Sequence, residues 1–284
     1  MVDVAIVGKG PAGLSCAITA CLRGVTVRVI APQADAGWLH KAERIDNYPG
    51  LPGISGRELL NFFAEQAFDL GTEEQTGLVR QIMPNGKSFM LLVENEVVEA
   101  KAVVLAMGAA RPVLLPGEEE AIGRGVSYCA TCDGMFYRNK RIAVLSATVQ
   151  GIEEANFLAG LAGQVDYYFL KKHGSDSLAK NVTTFSERPL EIQRQQTVIS
   201  LRTADAERIY DGIFIFRAAM PLHMLLTGLE TEGSFISVNR KMETNIPGVF
   251  AAGDSIGLPL QIAKAAGEGN IAAISAAEFI AKNG

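Results

Sequence analysis

The sequence predicts an α/β fold with buried parallel strands, on two observations. A short apolar run opens the chain and passes through a glycine turn into a helical stretch and a second apolar run. Near the other end, a turn leads into another apolar run that stops at an acid, with a long helical stretch behind it.

In chain order, Val4-Ala5-Ile6-Val7 has the uninterrupted apolar character of a parallel strand covered on both faces. Gly8-Lys9-Gly10-Pro11-Ala12-Gly13 follows directly, then Leu14 to Leu22, helical in composition, then Gly24 and a strand from Val25 to Ile30. Glycines in such a turn let the backbone approach a pyrophosphate, and the helix behind offers free N–H groups and the positive end of its dipole. Gly8, Gly10, Pro11, Ala12 and Gly13 are therefore candidate nucleotide-binding residues, and their place in a β-α-β unit makes the motif informative. The second strand ends in Ala31-Pro32, where many such units carry an acid for a ribose hydroxyl. The adenosine side is thus expected to be anchored less well, or by backbone. Cys16 and Cys21, on the first helix among Ala17, Ile18 and Ala20, read as small core residues.

Pro247-Gly248-Val249-Phe250-Ala251-Ala252-Gly253-Asp254 reads as turn, buried strand and acid, followed by a helix from Leu260 to Ile280. An acid placed there can accept hydrogen bonds from a polyol chain, and the next helix amino terminus can stabilise negative charge on a ring. A reduced flavin needs both, so FAD fits the first turn better than NAD. The bland reading of Asp254 is an ordinary helix cap.

Composition bounds the rest. At 284 residues, 48% hydrophobic and 20% charged, the chain has room for one large domain or two modest ones. A net charge of -5 argues against a dedicated nucleic-acid binder. Apolar runs fall short of the ~20 residues a membrane span requires. Met1 leads straight into a strand-like run, so the expected location is the cytoplasm, with neither membrane nor nucleic acid as partner. Four cysteines are too few for a disulfide scaffold, so the C-x-x-C of Cys129-Ala130-Thr131-Cys132-Asp133-Gly134 means redox chemistry or a metal. With the other two cysteines on a distant helix and only three histidines, no metal site is expected.

These motifs together resemble the low-molecular-weight thioredoxin reductase family over essentially the whole chain. The resemblance runs through Gly8 to Gly13, Asp46-Asn47-Tyr48-Pro49-Gly50, Ser127-Tyr128-Cys129-Ala130-Thr131-Cys132-Asp133-Gly134 and Gly253-Asp254. It implies two Rossmann-like three-layer domains in a homodimer. The FAD domain would be discontinuous, residues 1–112 and 246–284, interrupted by a smaller dithiol domain at 113–245. Hinges would lie at Arg111-Pro112 and Thr244 to Pro247. It also implies roles. Cys132 would be the thiol nearer the flavin, Cys129 would attack the disulfide of thioredoxin, and Asp133 would move protons to and from the thiols. Asn47, Gln261 and Ile262 join Gly253 and Asp254 as expected flavin contacts, and Trp38 stands near the isoalloxazine position, either stacked on it or packed on the domain edge.

The departures matter as much. Family members that use NADPH carry a second glycine-rich turn where this chain has Leu145-Ser146-Ala147-Thr148-Val149-Gln150-Gly151, and side chains there obstruct a pyrophosphate. Their His-Arg-Arg cluster for the 2'-phosphate is Phe169-Leu170-Lys171 here, and Ala218-Ala219-Met220-Pro221 stands where a glycine-containing loop is expected. At the carboxyl helix their Arg-Gln pair is Leu260-Gln261. An intact dithiol with a degenerate NADPH turn resembles the ferredoxin-dependent flavin thioredoxin reductases. Reduced ferredoxin or flavodoxin is then the expected donor and thioredoxin the expected acceptor, with Arg138, Lys140, Arg141, Lys171 and Lys172 as candidate docking cations or plain solvated turns. A flavin dithiol oxidase using oxygen, an NADPH-dependent thioredoxin reductase with a remodelled site, and a redox-silent FAD-binding interaction protein are the alternatives.

Overall fold

Val2 to Val7 bury every side chain except that of Asp3, which only a strand covered on both faces can do. In the computed structural model this segment is β1 (Val2–Val7), in the middle of a sheet. The structure describes residues 1–32, 39–108, 114–149, 151–174, 177–195, 198–217 and 222–283. They divide into two units, Met1–Arg111 with Pro221–Gly284, and Pro112–Met220.

In the first unit β1 leads into α1 (Pro11–Leu22), β2 (Val27–Ala31), α2 (Gly56–Asp69), β3 (Glu73–Thr76), β4 (Val79–Asn85), β5 (Ser88–Val93) and β6 (Glu96–Leu105). α1 starts on Pro11, whose missing N–H costs nothing at a first helical position. α2 starts on a capping box, with Glu58 N donating to Ser55 Oγ at 3.2 Å and Ser55 N to Glu58 Oε2 at 3.1 Å. The strand order is β3-β2-β1-β6-β5-β4. β6 is shared: its first half pairs antiparallel with β5 from Phe89↔Ala100 to Val93↔Glu96, and its second half runs parallel to β1 up to Val7↔Leu105.

The second unit holds α3 (Glu118–Ala121), β7 (Val126–Ser127), α4 (Ala130–Asp133), β8 (Arg141–Ser146), α5 (Gly151–Ala159), β9 (Gln164–Phe169), β10 (Val182–Phe185), β11 (Pro189–Gln195), β12 (Val198–Thr203), β13 (Glu207–Tyr210) and β14 (Gly212–Phe216). Strands β10-β9-β8-β14-β7 form a parallel sheet, and β11-β12-β13 an antiparallel one. Ile142, Val144, Val165, Tyr167 and Phe214 of the parallel sheet pack on Ile152, Ala155 and Leu158 of α5.

The chain then returns through α6 (Leu222–Leu225), β15 (Thr231–Glu232), β16 (Phe235–Ile236), β17 (Val249–Ala251) and α7 (Ile262–Asn283). β17 joins β6 in parallel, Val249↔Val103 to Ala251↔Leu105, beside the stretch that β5 occupies. The return begins earlier than the expected border at 246. Leu225, Leu226, Leu229 and Ile236 lie in one buried cluster with Ile30, Val79, Ile82 and Leu91, so their apolar surface draws the segment before β17 into the first unit. This also corrects the hinge expected at Thr244 to Pro247. That stretch is a turn inside the first unit, with Thr244 N donating to Val249 O at 3.1 Å and Ile246 N to Thr244 Oγ1 at 3.1 Å. Arg111 and Pro112 lie outside the described residues.

α1 and α7 cross at close range because small residues face each other. A Cβ added to Gly269 would sit 2.1 Å from Ala12 O. Ser15 Oγ donates to Ala266 O at 2.7 Å, and Asn270 Nδ2 to Thr19 Oγ1 at 2.9 Å. Among the described residues, no helix is long and apolar enough to cross a membrane.

Candidate active site

The first glycine turn has the physical attributes of a phosphate cradle. Gly8 sits at φ +115°, and a Cβ there would lie 2.2 Å from Ala106 O; one on Gly13 would lie 2.0 Å from Gly8 O. These two glycines let the turn press against the sheet end. Gly10 has nothing within 4 Å of its missing Cβ, so it is the glycine that leaves space for a ligand rather than for the protein. The first turn of α1 carries no acid, so the free N–H groups of Ala12 and Gly13 and the positive dipole end meet no competing negative charge.

The opposite end of the sequence arrives at the same place. Gly253, at φ +78°, approaches so closely that its Cβ would lie 2.8 Å from Ala12 Cβ. Its N–H donates to Glu268 Oε2 at 3.0 Å, and Lys264 Nζ ties the same carboxylate at 3.0 Å to Gly253 O at 3.3 Å and Gly257 O at 2.9 Å. Asp254 follows, half-buried and without a hydrogen-bond partner among the described residues. Burial raises its carboxyl above the usual range, and the Lys264 ammonium partly opposes that. An ionisable acceptor left unpaired in a partly dry position is what a polyol chain would satisfy. Asn47 Nδ2 donates to Gln261 Oε1 at 2.9 Å, bringing two more expected contact residues together across 214 positions. Ile262 opens α7, whose first turn also lacks an acid. The residues present therefore fit FAD. Trp38 lies outside the described residues.

In the second unit, Cys129 and Cys132 are joined as a disulfide with Cα atoms 5.3 Å apart. Cys129 is half-buried and Cys132 exposed. Cys129 caps α4: its Sγ accepts from Cys132 N at 3.2 Å. Asp133 is held beside the pair by Ser127, whose Oγ donates to Asp133 Oδ2 at 2.7 Å and accepts from Cys129 N at 3.1 Å. The three expected catalytic residues are thus gathered in one turn. Cys16 and Cys21 are free, Cys16 fully buried and Cys21 with its Sγ 3.3 Å from Thr72 Oγ1.

Residues 2–269 match the pyridine nucleotide-disulphide oxidoreductase family. The chain belongs to that family. It is 30% identical to a thioredoxin reductase of Bacillus subtilis over 302 residues, covering 98% of this chain and 94% of the relative. It is 34% identical to one of Aquifex aeolicus over 276 residues, covering 89% and 84%. A crystal structure of a ferredoxin-flavin thioredoxin reductase from Clostridium acetobutylicum superposes with a TM-score of 0.91 at 38% identity, covering 99% of this chain and 98% of that one. This member of the pyridine nucleotide-disulphide oxidoreductases is therefore an FAD-binding oxidoreductase of the thioredoxin reductase type, acting on disulfides.

The second turn, between β8 and α5, is built unlike the first. Ser146 is fully buried, and its Oγ donates to Thr148 O at 2.8 Å and accepts from Thr148 N at 3.2 Å. Gly151 N donates to Thr148 O at 3.2 Å and Ile152 N to Val149 O at 3.0 Å, so donors that would face a pyrophosphate are used inside the turn. A Cβ on Gly151 would lie 2.0 Å from Ser146 Oγ: the serine fills the gap between helix and strand. Glu153 and Glu154 occupy the first turn of α5, where they cancel the positive dipole end and repel phosphate. At the end of β9, Phe169 packs edge-on against Tyr167 and tilted against His173 at centroid distances of 5.2 and 5.1 Å, and Tyr167 OH lies 3.3 Å from His173 Nε2. Gln150 and Ala218 to Pro221 lie outside the described residues.

Ser127, Tyr128, Glu118 and Arg217 were not singled out as site residues from the sequence. Ser127 and Tyr128 stand inside the dithiol motif and could have been flagged by that position. Glu118 and Arg217 could not, because their meeting spans 99 positions.

Proposed function

We propose that this chain takes electrons from reduced ferredoxin or flavodoxin and passes them, through FAD and the Cys129/Cys132 dithiol, to the disulfide of thioredoxin, as a cytoplasmic homodimer. The observation that carries this reading is the second turn. With Ser146 in the gap, Thr148 and Val149 accepting the turn's own N–H groups and two glutamates behind them, little remains to hold a dinucleotide. A protein donor needs no such cradle. The similar Clostridium acetobutylicum structure, named as a ferredoxin-flavin enzyme, supports the same choice of donor.

The energetics permit it. A plant-type ferredoxin near about -400 mV and thioredoxin near about -270 mV differ by ~130 mV, roughly 6 kcal/mol for two electrons. Bound FAD supplies the store that lets one-electron deliveries serve a two-electron reduction. Gly10, Ala12 and Gly13 would hold its phosphates, Asp254 its polyol chain, and Asn47, Gln261 and the start of α7 the ring side. Cys132, the more exposed residue of the pair, would be the thiol on the flavin side. Cys129 attacks the thioredoxin disulfide as a thiolate, helped by the N–H of Cys132 that already points at its Sγ. Asp133, held by Ser127, delivers and recovers the protons.

The test is an anaerobic titration of the yellow protein with NADPH, with NADH and with reduced ferredoxin, following flavin absorbance. Bleaching by ferredoxin, with the electrons recovered on thioredoxin, is the expected result. Rapid bleaching by micromolar NADPH would overturn the reading in favour of a remodelled nicotinamide site. Oxygen uptake driven by a small dithiol, with no response to ferredoxin, would make the protein a dithiol oxidase.

A further inference from the structure

Beneath the dithiol turn lies a buried charge cluster that the proposed reaction does not use. Glu118 is fully buried, and its carboxylate accepts four hydrogen bonds. Arg217 Nη1 donates to Oε1 at 2.5 Å and Nη2 to Oε2 at 2.8 Å, a bidentate fork. Tyr128 OH donates to Oε1 at 2.5 Å and Leu115 N to Oε2 at 2.8 Å. The Arg217 side chain is itself only 9% exposed. A carboxylate so completely satisfied, paired with a largely buried cation, is held in one geometry, because a departure leaves its buried charge unpaired.

Its position makes the cluster more than a structural pair. Tyr128 immediately precedes Cys129, and Ser127 immediately precedes Tyr128. The two neighbours are tethered to different carboxylates, Ser127 to Asp133 within the turn and Tyr128 to Glu118 beneath it. Arg217 lies just past the end of β14, the strand that pairs with β7 through Phe214↔Ser127. The cluster therefore joins α3, the strand end and the residue before the nucleophile at a single point.

We propose that Glu118, Arg217 and Tyr128 form a positioning clamp that keeps the Cys129 side of the turn in its closed geometry when the disulfide is opened. Reduction breaks the S–S bond and adds two electrons and two protons, leaving two thiols free to separate. With the clamp in place, the Cys129 backbone cannot drift, so re-closure orders few degrees of freedom. Without it, the reduced turn gains conformational entropy, the disulfide becomes relatively less stable, and the couple becomes more oxidising. None of the three is a catalytic residue: Arg217 and Glu118 act through Tyr128. The inference rests on the dithiol reading alone, whatever the electron donor.

The experiment equilibrates holoenzyme anaerobically with mixtures of oxidised and reduced dithiothreitol, then quenches with acid, alkylates and counts free Cys129 and Cys132 thiols by mass. In the exchange, the cyclic disulfide of dithiothreitol takes two electrons and two protons to become its dithiol as the enzyme dithiol closes. Tyr128→Phe, which keeps the ring and removes the hydroxyl, is expected to lower the equilibrium constant for closure about tenfold, equivalent to about 30 mV for a two-electron couple. Arg217→Lys, which keeps the charge and loses the fork, is expected to shift it the same way by less, and Arg217→Met by more. Should Arg217→Met not fold, Tyr128→Phe and Arg217→Lys decide the matter, with circular dichroism and flavin retention establishing that they are folded. A folded Tyr128→Phe protein with closure within threefold of the unsubstituted enzyme overturns the clamp, and a drop of threefold or more supports it. Thioredoxin, ferredoxin and NADPH take no part, so failure of the proposed function would leave this result standing, and the reverse.

Discussion

Asp254 illustrates how much chemistry one side chain can carry before any ligand arrives. Its carboxyl is raised above the ordinary range by burial, with Lys264 opposing. A folded-state pKa above the unfolded value adds stability that is complete below the ordinary carboxylate pKa and is lost as pH rises through the folded value. The apoprotein should therefore lose stability across that acidic window, and Asp254→Asn should flatten this part of the profile in chemical unfolding from pH 3.5 to 6. The same substitution removes a charged acceptor from the proposed polyol site. Flavin affinity should fall by about 10- to 100-fold, the worth of a hydrogen bond to a charged group, as read by fluorescence of released FAD. Apoprotein stability that is indifferent to pH in both proteins would show that Asp254 is not the unpaired acid the structure displays.

Elements show how two strand-to-helix turns in comparable places differ in construction. α1 begins behind a turn whose glycines press on the sheet and leave Gly10 open, and its first turn has no acid. α5 begins behind a serine that fills the corresponding gap and in front of two glutamates. The Ser146 substitution and the Glu153-Glu154 pair were both readable in sequence, but the hydrogen bonds that consume the turn's donors were not, because they depend on how Thr148 and Val149 fold back. Helix α7 is legible as a helix from its composition, yet its function in the site comes from packing on α1. Gly269→Val would place a side chain 2.1 Å from Ala12 O and push the helix off the phosphate turn. It is expected to cost about 3 kcal/mol of stability by overpacking and to yield protein that purifies colourless. Chemical unfolding together with the 450 nm absorbance checks both. Retention of flavin at undiminished stability would mean that the two helices do not set the cradle's shape.

Across the molecule, the two units are expected to respond to the cofactor separately. All the residues that fit FAD lie in Met1–Arg111 and Pro221–Gly284, and the dithiol lies in Pro112–Met220. Adding FAD to apoprotein at a hundred times its dissociation constant should stabilise the first unit by about 2.7 kcal/mol and leave the second unchanged. The sequence supplies the reporters: its only tryptophan, Trp38, falls in the residue range of the first unit, while five of its six tyrosines, all but Tyr48, fall in the second. Tryptophan fluorescence should therefore move to higher temperature with FAD while most of the near-ultraviolet tyrosine signal stays. A tyrosine transition that shifts equally would mean the units unfold as one.

From the sequence alone came the α/β class, the FAD turn, Asp254 at a strand end, the dithiol with its neighbouring acid, and the defect in the second turn. Each is written in a few consecutive residues, and local chain geometry suffices to read it. Tertiary structure alone decided that residues before β17 belong to the first unit, that Asn47 meets Gln261, and that Glu118 and Arg217 close beneath Tyr128. Those outcomes depend on burial and on charge pairing between residues far apart in the chain. The free energy of such contacts belongs to neighbours that only the packed chain creates.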